Sequence, residues 1–172
     1  MLDKQGNSNT QERIALMQDY IDWFGRDSID CLLADREFVG DAWLGFLNSN
    51  HIRYHIRIRN NFKVLLPHKQ VSIKVSHLFN RIGINQCGHY HRIVRMGKEL
   101  CYLSATRIIS DGKTEFLILV SFNKPDEALN YYKERWQIET LFKGLKSSGF
   151  NIEDTHLIAI DRLEKLIRLT MI

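Results

Sequence analysis

At 172 residues, with 44% hydrophobic and 26% charged side chains and only 2 Pro, the chain has the composition of a folded globular protein, which excludes collagen-like, low-complexity and disordered classes. Its three cysteines, Cys31, Cys87 and Cys101, stand at irregular spacing, which excludes a disulfide framework and points to a reducing, cytoplasmic setting. No apolar run approaches the roughly 20 residues of a membrane span, and MLDKQGNSNTQER at the start has no apolar region of a secretory signal, so a soluble, unexported protein with no membrane partner is expected.

Net charge is +4, but it is unevenly spread. Between His51 and Leu100 ten Lys/Arg stand against one acid, Glu99, and six of the seven histidines fall in the same stretch. A local excess of this kind attracts a polyanion through counterion release, so nucleic acid is the leading partner. A merely solvated basic face is the other reading.

In chain order, Ser8-x-x-Gln11 reads as a capping box, and Ile14, Met17, Ile21 and Phe24 follow at helical spacing, which predicts a helix over 9–24. Gly25 ends it, and the apolar run Ile29 to Ala34 suits a buried strand closing at Asp35. A helix around 41–47 follows. In residues 52–59, Ile52, Ile56 and Ile58 are interleaved with basic residues, as in a half-buried strand. Strand, helix, strand is the parallel α/β unit. Residues 60–112 change to short alternating stretches, 71–75, 86–94 and 100–109, which read as a small β-rich insertion. A strand over 114–122 and a long helix over 126–146 come next, and the tail 151–172 carries Leu163, Leu166, Ile167 and Met171 at helical spacing.

Two features could carry chemistry. Asp35 closes an apolar strand, where α/β sheets present side chains to the crevice at their carboxyl ends; a turn or capping aspartate is the plain structural alternative. Tyr132, Arg135, Glu139 and Lys146 are three, four and seven residues apart. At about 100° per residue they fall within an arc of roughly 60° on one helix. Glu139 could there coordinate a metal while the two cations meet phosphate oxygens and Tyr132 hydrogen-bonds or stacks. The structural alternative is an exposed face with an Arg135 and Glu139 pair worth a few tenths of a kcal/mol. Trp136 could stack on a base or pack on the sheet. Cys87, His89 and His91 fall short of the four ligands of a structural zinc.

The spacing Tyr132-x-x-Arg135-x-x-x-Glu139, followed seven residues on by Lys146, matches throughout the Tyr-Arg-Glu-Lys signature of a group of bacterial insertion-sequence transposases with a DDE catalytic triad. The segment Leu33-Ala34-Asp35-Arg36-Glu37-Phe38 resembles their second acidic motif. The flanks Lys-Gln-Gly-Asn-Ser-Asn-Thr (4–10), Arg-Ile-Arg-Asn-Asn (57–61) and Glu-Arg-Trp-Gln-Ile-Glu-Thr-Leu-Phe-Lys (134–143) are similar too.

The resemblance implies an α/β fold of the ribonuclease-H-like kind, incomplete here: a partial core over 1–59, a β-rich insertion over 60–112, and a return to the core over 113–172. It implies an enzyme of DNA transposition that cuts and joins DNA by phosphoryl transfer. Asp35 would be the second catalytic aspartate and Glu139 the catalytic glutamate, both holding Mg²⁺ or Mn²⁺, with Tyr132, Arg135 and Lys146 on the DNA backbone. Hard cations call for such oxygen ligands, and two of them, about 4 Å apart, would serve the attacking and leaving oxygens. Transposon ends and target DNA would be the partners, bound by a homodimer.

The family's first aspartate lies on a strand upstream of the second. Asp3 precedes no apolar strand, and Asp30 lies within the same strand as Asp35. The expectation is therefore a chain truncated at both its N- and C-terminal ends and inactive alone. The alternative is a catalytically inactive DNA-binding remnant of an insertion element.

Overall fold

A computed structural model describes residues 8–110 and 112–147. Helix α1 spans Thr10–Phe24. Its capping box sits one residue later than Ser8 and Gln11 suggest: the Asn9 side chain accepts from the Glu12 N–H at 3.0 Å, and the Glu12 carboxylate accepts from the Asn9 N–H at 2.7 Å. The charged carboxylate is the stronger acceptor for an orphan N–H at a helix start. Ile14, Met17 and Ile21 pack against the core.

After a short 3₁₀ turn, Arg26–Ser28, comes β1, Leu32–Ala34, then α2, Asp41–Ser49, and β2, Tyr54–Ile58. β1 and β2 pair in parallel, with Leu33 opposite His55, as the sequence predicts. The stretch 60–112 supplies β3 (Lys63–Leu66), β4 (Val71–Lys74), the short helix α3 (Val75–Leu78), β5 (Cys87–Met96) and β6 (Glu99–Ser110). β7, Lys113–Ser121, closes the sheet. The order is β1-β2-β7-β6-β5-β3-β4, antiparallel everywhere except β1 with β2. The strands of 60–112 thus continue the sheet that β1 and β2 begin.

Alternation along these strands gives the sheet two unlike faces. One packs Tyr54, Ile56, Ile58, Leu103, Ala105, Ile118 and Val120 against Trp43, Leu44 and Leu47 of α2, all buried. Full burial of a Leu or Ile contributes about 1.5–3 kcal/mol each, so this layer is the main source of stability. Polar ties fix α2 to the strands: the Asn48 amide donates to Glu99 at 2.6 Å, and the Tyr54 hydroxyl donates to Asn48 at 3.2 Å. Gly97, in the β5–β6 turn, has φ +61°, and a Cβ there would lie 1.9 Å from an Asp41 carboxylate oxygen, so only glycine suits it.

The opposite face is covered in part by α4, Ala128–Lys133, whose Ala128 and Tyr132 are buried against Leu119 of β7. The chain turns into α4 through Lys124, in the left-handed region at φ 46°, and Pro125, whose carbonyl accepts from the Ser104 hydroxyl.

The single helix expected over 126–146 is two helices. α4 stops at Lys133 and α5 runs Trp136–Ser147, with turn residues at Glu134 and Arg135. Around the break the N–H groups of Glu134 and Ile138 bond three residues back, to Tyr131 and Arg135, so the α-helical ladder lapses there. The helix expected in the tail, 151–172, lies outside the described residues.

Candidate active site and its surroundings

The chain divides into two units, Asn9–Glu134 and a second that takes in the residues from Arg135 onward. Asp35 and Tyr132 belong to the first, and Arg135, Glu139 and Lys146 to the second.

Asp35 lies at the carboxyl end of β1, partly buried. One carboxylate oxygen accepts from the Arg36 N–H at 2.7 Å, and its carbonyl accepts from the Phe38 N–H at 2.9 Å, which closes a tight turn. Among the described residues no second donor to this carboxylate is found. α1 holds the turn from outside: Arg13 donates to the Glu37 carbonyl at 2.7 Å, and its guanidinium lies 4.2 Å from the centre of the Phe38 ring.

Arg135 and Glu139 are brought together as their spacing predicts, with the guanidinium 3.0 Å from the carboxylate. The Arg135 side chain is 19% exposed and that of Glu139 is 48% exposed, so the carboxylate remains accessible beside its cation. Lys146 lies in the last turn of α5 by its backbone; its side chain is outside the described residues. Tyr132 departs from the expected stripe. It belongs to α4, on the far side of the break, and at 5% exposure its ring packs on Leu119. A phenol reads as polar in a stripe, but its ring carries a large apolar area that the sheet buries. Trp136 is 67% exposed, and Ile138 and Leu141 are also exposed.

A divalent cation needs several converging oxygen donors. Asp35 and Glu139 supply the right donor type. Among the described residues no three His, Cys, Asp or Glu side chains converge.

The structure also builds a polar cluster at the opposite end of β2 that the sequence pattern did not announce. Arg53 lies 3.4 Å from Asp30 and 5.3 Å over the Tyr131 ring. Beside it, His55 is fully buried, its Nδ1 2.8 Å from the Ser121 hydroxyl, its ring 5.7 Å from Tyr131, and its Nε2 without a hydrogen-bond partner among the described residues. Burial, reinforced by the Arg53 charge, pushes the His55 pKa down to about 4, against a weaker upward pull from Glu127. A cleft of about 420 Å³ opens nearby, lined by Arg26, Asp30, His51, Arg53, Phe122 and Asn123. Burial pushes the thiols of Cys31 and Cys101 up, to about 11 and about 12, so neither is a thiolate nucleophile at neutral pH. Cys87 is exposed, and the His89 and His91 rings meet edge to face at 4.6 Å.

No helix among the described residues is long and apolar enough to cross a membrane. Among curated proteins, no sequence matches this one. The sequence profile of the family described as "Transposase DDE domain" matches residues 2–172, nearly the whole length. With an aspartate closing a strand of a parallel pair and a glutamate paired to arginine on a later helix, the chain belongs to the DDE transposase domain family.

Proposed function

We propose that this domain cuts and joins DNA by metal-dependent phosphoryl transfer, on a core of the ribonuclease-H-like kind in which β1, α2 and β2 form the parallel unit. The observation that carries this reading is the position of Asp35 at the carboxyl end of β1, paired in parallel with β2, in a chain whose family is that of the DDE transposases. Asp35 and Glu139 would hold Mg²⁺ or Mn²⁺, which when bound supplies charge stabilisation at the attacking and leaving oxygens. Arg13, by clamping the Asp35 turn to α1, fixes where that carboxylate is presented. Arg135, 3.0 Å from the Glu139 carboxylate, orients it, and with Lys146 offers cations to the DNA backbone. Tyr132 takes part as the ring that seats α4 on β7 ahead of the turn at Arg135. Transposon ends and target DNA are the substrates of this reading, and a homodimer its working form.

The test is a nicking assay on a duplex that carries the element's own terminal sequence, with Mg²⁺ and then Mn²⁺. Metal-dependent cleavage that Glu139→Gln abolishes, while DNA binding is retained, is the expected result. Binding without cleavage under either metal would instead establish the second reading, a DNA-binding domain that does not cut. That reading is favoured by the basic strands, which need no set of carboxylates to hold DNA.

A further inference from the structure

The ten cations between His51 and Leu100 do not form one surface. Arg53 and Arg57 are tied to acids, at 3.4 Å to Asp30 and 3.9 Å to Glu115, with side chains only 23% and 20% exposed. Lys63, Lys74 and Arg95 differ. All three are exposed, and among the described residues no ion pair or side-chain hydrogen bond is made by any of them.

Register puts these three on one face. Lys63 of β3 stands directly opposite Lys74 of β4, and Leu65 stands opposite both Ser72 of β4 and Arg95 of β5. Residues directly opposite share a face with Cβ atoms about 4.5–5.5 Å apart, and diagonal neighbours lie about 7–8 Å apart. Val64 and Leu66, the alternate residues of β3, point into the core and are buried, so the Lys63 side faces away from it. Exposed Ser72 and Leu100, the latter 54% exposed and opposite Arg95, belong to the same face.

Two lysines directly opposite on a sheet repel one another, which destabilises the strand pair. An anion laid across them removes that repulsion. At the β3–β4 turn the field is positive as well: slight desolvation, then Arg92 and Lys69, lower the pKa of His68.

We propose that the outer face of β3, β4 and β5, carrying Lys63, Lys74 and Arg95, is a docking surface for the phosphodiester backbone of duplex DNA. The proposal rests on the DNA-processing reading above and deepens it by naming where DNA is held apart from the carboxylates. Charge complementarity selects the partner. A duplex carries one negative charge per about 1.7 Å of axis, so a cluster of three cations this close meets several phosphates in any register along the helix. The face offers cations and a hydroxyl, suited to phosphate oxygens. Contacts of that kind position DNA without reading its sequence.

The experiment measures binding of the full chain to a short duplex of arbitrary sequence, by fluorescence anisotropy over a salt series. Each lost phosphate contact should reduce the slope of log K against log salt by about 0.9, so Lys63→Gln with Lys74→Gln flattens it by about 2, and adding Arg95→Gln brings the loss to nearly 3. The control double variant, Lys113→Gln with Lys124→Gln, removes the same charge elsewhere and should leave the slope unchanged. Thermal melting checks that each variant is folded. A wild-type chain that binds while the Lys63 and Lys74 double variant keeps the wild-type slope, or loses no more than the control, overturns the surface alone. A wild-type chain that binds no duplex at low salt overturns the surface and the DNA-processing reading together. Tighter binding of poly-glutamate than of duplex would identify the face as a site for acidic protein and overturn the assignment.

Discussion

The cations of β2 and those of β3, β4 and β5 come from one basic stretch of sequence and meet opposite ends in the fold. On the α4-covered side of the sheet, around β2, Arg53 and Arg57 are largely buried and paired with Asp30 and Glu115, and His55 is buried outright. On the outer strands, nothing described covers the same face, and Lys63, Lys74 and Arg95 stand exposed beside one another. The difference lies in what packs above each strand. A charge near α4 must find a partner or lose its charge, because an unpaired charge is costly to bury; a charge on the open strands is free to meet an external anion.

The largest effect is expected from removing the cover. Leu119→Ala empties the contact between β7 and α4, where Leu119 is fully buried against Ala128 and Tyr132, and should cost about 2–5 kcal/mol in a urea titration. A loss below about 1 kcal/mol would mean that α4 contributes little to burying the β2 side.

Next comes pH. His55 is held neutral in the fold, with a pKa of about 4 against an ordinary 6.5. The unfolded chain therefore takes up the proton first, and the stability that His55 contributes above about pH 6.5 is lost as pH falls towards 4, by up to about 3 kcal/mol. His55→Asn, which keeps a polar group at the Nδ1 position, should remove that part of the slope between pH 7 and 4. An unchanged slope would show that burial and the Arg53 charge do not hold His55 neutral.

The smallest effects separate paired from unpaired cations. Asp30→Asn strips a partner from Arg53 and should destabilise by up to about 1 kcal/mol, as Asp30 itself is largely exposed. Lys63→Gln relieves a like-charge pair and should stabilise by a few tenths of a kcal/mol. Shifts of the same sign in the two variants would erase the distinction between paired and unpaired cations.

Much of this was legible in the sequence where periodicity and punctuation agree. The helical spacing of Ile14, Met17 and Ile21, the apolar run into Asp35 and the interleaved isoleucines of β2 give α1, β1 and β2 because each is a local pattern with one buried side. β3 carries no clear signal, because Lys63-Val64-Leu65-Leu66 is short and does not alternate cleanly. The break at Glu134 and Arg135 was illegible, since both residues favour helices and neither Gly nor Pro marks the spot. Burial of His55 and Tyr132 depends on α4 meeting a sheet formed by strands distant in sequence, which no local pattern carries.

At the candidate site the same division holds. The end-of-strand position of Asp35 and the Arg135–Glu139 pair follow from local spacing and are present in the structure. The stripe that would have joined Tyr132 to them crosses the break between helices and does not form as one helix face.

On the proposed reading, cutting needs Asp35 and holding DNA needs the outer basic strands. The most direct test measures binding and Mg²⁺-dependent cleavage of one duplex, bearing the element's terminal sequence, for Asp35→Asn and for the double variant Lys63→Gln with Lys74→Gln. Asp35→Asn is expected to bind like wild type without cutting, whereas the lysine double variant binds weakly and regains cleavage at high protein concentration. Cleavage by Asp35→Asn at the wild-type rate, or a lysine variant that binds DNA as wild type does, would overturn this division of roles.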